Sequence, residues 1–387
     1  MAWIGFAAGV CLLLLTGSSV IKTLLIPRNL SSLIGTFVAR SVLFAFRLMT
    51  VRIENLYRRE RILSAGAPTF LFALLVGWLC SLYLGFALML LPFTRDDMPN
   101  AFRLSGSSLF TLGFATPAGA APYGIVFAAA ISGLGVIALI IGYMPTIYSA
   151  YNRREILVIM LEALAGKPPW GPEVLARQQL IGNVEYLGRV YERWTEWAAD
   201  ISESHTTYRT LIYFRSRYAE NAWPLALLAV LDAAALHLAL CPDSAPAEAR
   251  PLLRVGYMAL RQIGRTLRVP VNDDPHPDDP LRLTREDFDE AVKHMDAAGW
   301  VFERKPDEAW PHFRGWRVNY ELAAEGIAAH LDLPQAKWSG PRARLGQARM
   351  PDRPAHREPK AAAQPADTRP QPGDRPLQGA PGVSGGG

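Results

Sequence analysis

The sequence predicts a mainly α protein in which integral membrane helices precede a helical cytosolic C-terminal domain. Three observations carry that expectation. Half of the 387 residues are hydrophobic, 19% are charged and the mean hydropathy is positive, a composition unlike that of most soluble domains. Two runs, residues 68–91 and 122–144, carry no charge at all and have the length a helix needs to cross about 30 Å of hydrocarbon. Residues 146–335 instead mix charged and apolar positions at helical spacing.

From the N-terminus, residues 2–21 form an uncharged apolar stretch without a basic leader or an A-x-A site. Residues 1–25 are therefore expected to be a retained anchor helix, with a cleaved signal peptide as the alternative. In residues 31–50, Ser32, Thr36, Arg40 and Arg47 recur at helical spacing and make one polar stripe. Two arginines at the bilayer centre are costly, which favours a helix lying in the interface over one that spans. With the basic run RIENLYRRER this makes residues 26–66 an interfacial amphipathic and juxtamembrane segment. The run 68–91, with Trp78 and Tyr83, is the clearest span, and 122–144 is a second, with Pro122 near its start and Pro145 just past its end. Lysine and arginine concentrate before the first of these runs and return at Arg153 and Arg154 after the second, whereas 92–121 carries only Arg95 and Arg103 against Asp96 and Asp97. That bias predicts a multi-pass protein of the cell membrane, embedded in lipid, with its C-terminal domain in the cytoplasm.

Between the two uncharged runs stand AFRLSGSSLF, a short semi-apolar helix candidate, and then TLGFAT, residues 111–116. This order of parts, over roughly residues 67–150, resembles the two-transmembrane pore unit of the potassium-channel superfamily. The resemblance implies an outer helix, a re-entrant pore loop with its own short helix, an ion filter and an inner helix. It also implies a homotetramer, because one chain supplies one pore loop. The filter would be Thr111, Leu112, Gly113, Phe114, Ala115 and Thr116, the gating hinge Gly133 and Gly135, and the inner helix would end near Gly142–Pro145. Monovalent cations, potassium first, would pass through it.

Physical reasons support such residue types. Irregular backbone at membrane depth is tolerated where it lines a wet cavity or is buried in protein. Aiming successive carbonyls at one axis demands alternating backbone hands, which glycine supplies without steric cost. Thr111 offers a hydroxyl acceptor at the inner end, and Leu112 and Phe114 are expected to pack on the pore helix. That helix directs the negative end of its dipole, near Phe110, at a cation. Two positions depart from the family, whose filter continues Gly-Tyr-Gly-Asp or Gly-Phe-Gly-Asp where this chain has Ala115 and Thr116. Alanine in a left-handed conformation costs about 1–2 kcal/mol. Thr116 removes the carboxylate that in the family meets aromatic donors on the pore helix, and that helix has no Trp or Tyr here. A differently braced loop is expected. Gly106 weakens the pore helix by about 1 kcal/mol relative to alanine. The alternative function is a pore-like anchor or sensor that does not conduct.

The cytosolic domain is expected over residues 151–335. In VEYLGRVYERWTEWAADISE, Tyr186, Val190, Trp194 and Trp197 share a helical face, and Thr284 with Asp287 starts a capped helix that ends before Gly299. Residues 223–240 are apolar enough to span, but Asp232 and His237 mark them as a buried core helix in which the two side chains pair. Asp200, Glu203 and His205 suggest a capped or solvated helix end in preference to a metal or proton site. DDPHPDD, residues 273–279, reads as a solvated linker, and Arg215–Arg217 as a solvated face in preference to a lipid-headgroup contact. Residues 336–387, rich in Pro, Gly, Ala and Arg, are expected to be a disordered tail. Cys11, Cys80 and Cys241 define neither a disulfide framework nor a metal site. The net charge of +5 follows from basic residues beside apolar runs and in the tail, so no nucleic-acid partner is expected. The sequence contains no P-loop, G-x-G-x-x-G or H-E-x-x-H, so neither an enzyme nor a cofactor or metal is expected.

Overall fold

The apolar runs fold as helices, the conformation that satisfies every backbone group within the run itself. The computed structural model describes residues 1–25, 32–53, 55–341 and 349–353. Its N-terminal half contains α1 (Ala2–Val20), α2 (Leu33–Thr50), α3 (Leu56–Ser64), α4 (Gly66–Leu90), α5 (Met98–Leu109) and α6 (Ala121–Ala165). The C-terminal half contains α7 (Gly171–Leu180), α8 (Tyr186–Thr207), α9 (Thr210–Tyr213), α10 (Trp223–Leu240), α11 (Ala249–Leu267), α12 (Arg285–Asp296), α13 (Pro306–Arg317) and α14 (Glu321–His330). Among the described residues no β-strand forms, and five helical stretches, built on α1, α2, α4, α6 and α10, are long and apolar enough to cross a membrane.

Small residues set the first helix pair. A Cβ on Gly9 of α1 would stand 2.6 Å from the Gly85 carbonyl oxygen of α4, and one on Gly85 would stand 2.7 Å from the Leu13 side chain. Such positions let two backbones approach where lipid offers no hydrophobic drive for association. A short polar chain then joins three helices: Trp78 Nε1 donates to Ser19 Oγ (2.9 Å), Ser19 to Ser32 Oγ (3.0 Å), and Ser32 caps α2 by accepting from the Gly35 amide (3.0 Å). From there α2 follows the N-terminal half of α4, with Val38 beside Gly77 and Phe46 beside Gly66.

α5 lies between α4 and α6. Ser105 Oγ donates to the Tyr83 carbonyl at 2.8 Å. Gly106, a weak point by helix propensity, leaves room for the Tyr83 ring, 3.1 Å from where its Cβ would be. The expected end of the inner helix at Gly142–Pro145 does not occur, since α6 runs unbroken through Pro145 to Ala165. Proline removes one helical hydrogen bond. Around it Tyr143, Ile147 and Ala150 pack with Ala67, Leu71, Leu211 and Phe214, which holds the helix in place. The expected boundary at residue 150 therefore falls inside one helix.

All 18 residues of α10 are buried, enclosed by α7, α8, α11, α13 and α14. Asp232 and His237 do not pair with one another. Positions five apart on a helix lie roughly 140° apart around its axis, so the two meet different neighbours. Asp232 Oδ1 accepts from Arg317 Nη1 and from Tyr320 OH (2.8 Å), while Arg317 Nε donates to Glu321 Oε1 (2.9 Å). Glu321 in turn accepts from the amides of Arg282 (2.7 Å) and Leu283 (3.2 Å). Thr284 and Asp287 form a capping box at the start of α12. The chain beyond residue 336 does not begin a tail at once: Arg317 donates to the Trp338 carbonyl, Ser339 is buried, and Asp352 meets Lys167 and Arg177. From residue 354 the expected tail lies outside the described residues.

Arg317→Met would leave the Asp232 carboxylate buried without its cation, and such breaks cost about 3–5 kcal/mol. Thermal unfolding of the full chain in detergent is expected to show that loss, and replacing Asp232 by Leu in the same chain is expected to recover most of it.

Candidate functional site

The stretch 110–116 begins where α5 ends against α6. The Leu109 carbonyl oxygen occupies the space that a side chain at Gly133 would need, 2.1 Å from the ideal Cβ position. Gly133 is thus a seat for the end of α5, which accounts for this glycine without the expected hinge. At Gly135, the other expected hinge position, nothing lies within 4 Å of the Cβ position.

Past Leu109 the chain curls on the helix end. The amides of Leu112 (2.8 Å) and Gly113 (3.3 Å) both donate to the Ser107 carbonyl, and the Thr111 amide donates to Ser108 O at 3.0 Å. Left-handed backbone appears at alternate residues, Thr111 (φ 56°) and Gly113 (φ 72°), and not at Ala115. The steric cost expected at Ala115 is therefore absent, and Thr111 carries it instead. Ala115 is buried, and its amide donates to Ser107 Oγ at 3.0 Å. Ser107, itself 1% exposed, is the brace of this loop, an internal hydroxyl in place of a carboxylate and an aromatic donor. Thr111, Gly113 and Thr116 are exposed, as are Leu112 and Phe114, which stand 63% and 61% open. These two side chains do not pack on α5 as expected.

A second group of polar residues joins α6 to the C-terminal bundle. Arg154 is fully buried; its guanidinium donates to Glu155 Oε1 (2.9 Å) and to the carbonyls of Leu211 (3.0 Å) and Phe214 (2.7 Å), and its own carbonyl accepts from Trp197 Nε1 (2.9 Å). His205 Nε2 lies 3.0 Å from Arg154 Nη1. A guanidinium only donates, so this nitrogen is unprotonated and the proton sits on Nδ1, 3.1 Å from Ser204 Oγ. Burial, and next the Arg154 charge, hold the His205 pKa well below its usual value. His205 is therefore a core residue and not a solvated helix end. Asp200 pairs with Arg153 (3.1 Å) and Glu203 accepts from Thr207 (3.1 Å), so the three are not brought together. Among the described residues no group of three His, Cys, Asp or Glu side chains is placed to hold a metal ion.

Arg215 is not a solvated face either. It donates to both Glu60 oxygens (2.8 and 3.0 Å) on α3 and to the Leu331 carbonyl, and its own carbonyl accepts from Tyr151 of α6 at 3.3 Å. With the Arg59–Asp332 ion pair, it fastens the helix that leads into α4 to the C-terminal bundle. DDPHPDD is an exposed loop, as expected, although Asp273 pairs with Arg265. Sequence reasoning missed Ser107, Arg154 and Glu60. For Arg154 and Glu60 a charge beside an apolar run was the only available signal. Comparison with protein families, curated proteins and solved structures finds no match.

Ser107→Ala is expected to speed hydrogen exchange in the 110–117 peptide by about threefold to tenfold, the worth of one ordinary hydrogen bond, while Ser107→Thr preserves protection. Mass-spectrometric exchange on the detergent-solubilised chain reads both. In α10, burial lowers the His237 pKa to about 4, against about 6.5 for an unperturbed imidazole. The unfolded chain then binds the extra proton first, so stability falls as pH drops from about 6.5 towards 4. His237→Phe is expected to reduce the slope of that part of the pH–stability curve measured by thermal unfolding, with the rest of the decline coming from His205, whose pKa also lies well below its usual value.

Proposed function

We propose that the protein is a potassium-channel-like membrane protein that conducts monovalent cations through a homotetrameric pore, with its C-terminal bundle in the cytoplasm. One observation carries the reading. Residues 111–114 form an exposed edge with left-handed backbone at every second residue, held from behind by a buried hydroxyl on a short helix wedged between two long apolar ones. Backbone carbonyls presented by such an edge are the groups that replace water around a dehydrated cation. A single chain presents this edge on one side only, and several copies around an axis would close it into a ring.

A second reading, a pore-like anchor or sensor that does not conduct, draws on the same loop. The amides of Leu112 and Gly113 share the Ser107 carbonyl, which curls the chain where a filter strand would extend. The two readings part on assembly and flux. The conducting form is expected to have a mass near four times 42.6 kDa once detergent is subtracted, and its liposomes are expected to pass potassium. Gly113→Ala forces a side chain into left-handed backbone in every copy, and is expected to lower flux by about tenfold or more with the assembly intact. A monomeric mass with no flux would sink the proposal.

A further inference from the structure

The exposed side of α6 repeats every seven residues along nearly its whole length. From Gly124 to Ala163 the outward positions advance alternately by four and three residues, opposite a buried face that keeps the same alternation from Ala129 to Arg154. A straight helix drifts by about 20° per heptad, so a strict repeat keeps one line facing a partner only where helices wind around each other. Gly124, Gly135 and Gly142 lie on this line, and nothing within the chain comes within 4 Å of their Cβ positions. Glycine weakens a helix interior, and here no contact inside the chain accounts for it. A neighbouring backbone at close range would.

The line continues where lipid no longer can cover it. Arg153, Arg154 and Glu155 end the uncharged run, yet beyond them Ile156 and Ile159 are 54% and 48% exposed, with Met160 beside them at 41%. The adjacent guanidinium of Arg153 is drawn aside by Asp200 of the same chain, so that like charges do not oppose one another across the line.

We infer that residues 149–163 of α6 pack against the same residues of further copies of this chain, forming a parallel helical stalk below the membrane part. The inference rests on the homotetramer proposed above. Copies inserted with one orientation bring their α6 helices together in parallel. Ile156 and Ile159 then occupy consecutive a and d positions of the heptad, a choice that favours three or four strands over two. Over residues 149–163 the helix is about 22 Å long, and a contact strip about 10 Å wide offers roughly 220 Å² per chain, so the stalk adds to the contact of the membrane part and does not replace it.

Cysteine cross-linking of the full chain in liposomes tests this. In a Cys11→Ser, Cys80→Ser background, Ile156→Cys, Ile159→Cys and Ala163→Cys are compared with Lys293→Cys, an exposed position on α12, under copper-catalysed air oxidation. Variants are scored only when their thermal unfolding matches the parent, and three positions on the line allow for one that fails. Held side by side, thiols on the line are expected to form disulfide-linked dimers about fivefold faster or more than the control. A multimeric mass with cross-linking no faster than at residue 293 would overturn the stalk and leave the tetramer standing. A monomeric mass would overturn both.

Discussion

One unbroken helix constrains everything else in this molecule. α6 begins beside the candidate loop, receives the end of α5 at Gly133, passes Pro145 without a break and enters the C-terminal bundle at Arg154. A continuous helix transmits rotation and translation along its length. What happens in the bundle around Arg154 is therefore mechanically linked to the seat of the loop, and neither end can be described as an independent domain. The Arg215–Glu60 pair adds a second link from the same bundle to α3 and hence to α4.

Both links are charges withdrawn from solvent, Arg154 fully and the Arg215–Glu60 pair in part, and that choice has consequences. Removing a charge from water is costly unless hydrogen bonds and an opposite charge compensate. Arg154 meets one carboxylate, one imidazole and two carbonyls. The carbonyls belong to Leu211 and Phe214, so the short segment between α8 and α10 can stand in only one place relative to α6. Geometric specificity is the clearest property of such a site, since an apolar replacement of similar shape would pack nearly as well but would leave the segment free to slide.

Much of the helical layout was legible in the sequence, because it depends on local signals: uncharged runs of membrane length, the Thr284–Asp287 capping box, and two polar residues in residues 223–240 that favoured a protein core. The side-chain partners were not. Asp232 lies nearer in sequence to His237, but its cation comes from Arg317, on a helix brought alongside only by the fold. Arg215 looked like part of a solvated basic patch because Glu60, its partner, stands far earlier in the chain. The continuation of α6 past Pro145 was missed for a related reason. Proline is a local signal for ending a helix, and here tertiary packing on both sides outweighs one lost hydrogen bond.

The loop shows most clearly how context reassigns a residue's meaning. Family resemblance placed the conformational burden on Ala115, where glycine would be expected. In the fold the left-handed backbone falls on Thr111 and Gly113, and Ala115 uses its amide to meet Ser107. Once that hydrogen bond exists, a carboxylate at residue 116 has no bracing task left, and at residue 106 any side chain would meet the Tyr83 ring. The departures at 115 and 116 thus go with one alternative brace. A glycine, in the same way, cannot be read as a hinge from its type alone: Gly133 is required by a carbonyl of its own chain, whereas at Gly135, two residues on, nothing within the chain comes near the Cβ position.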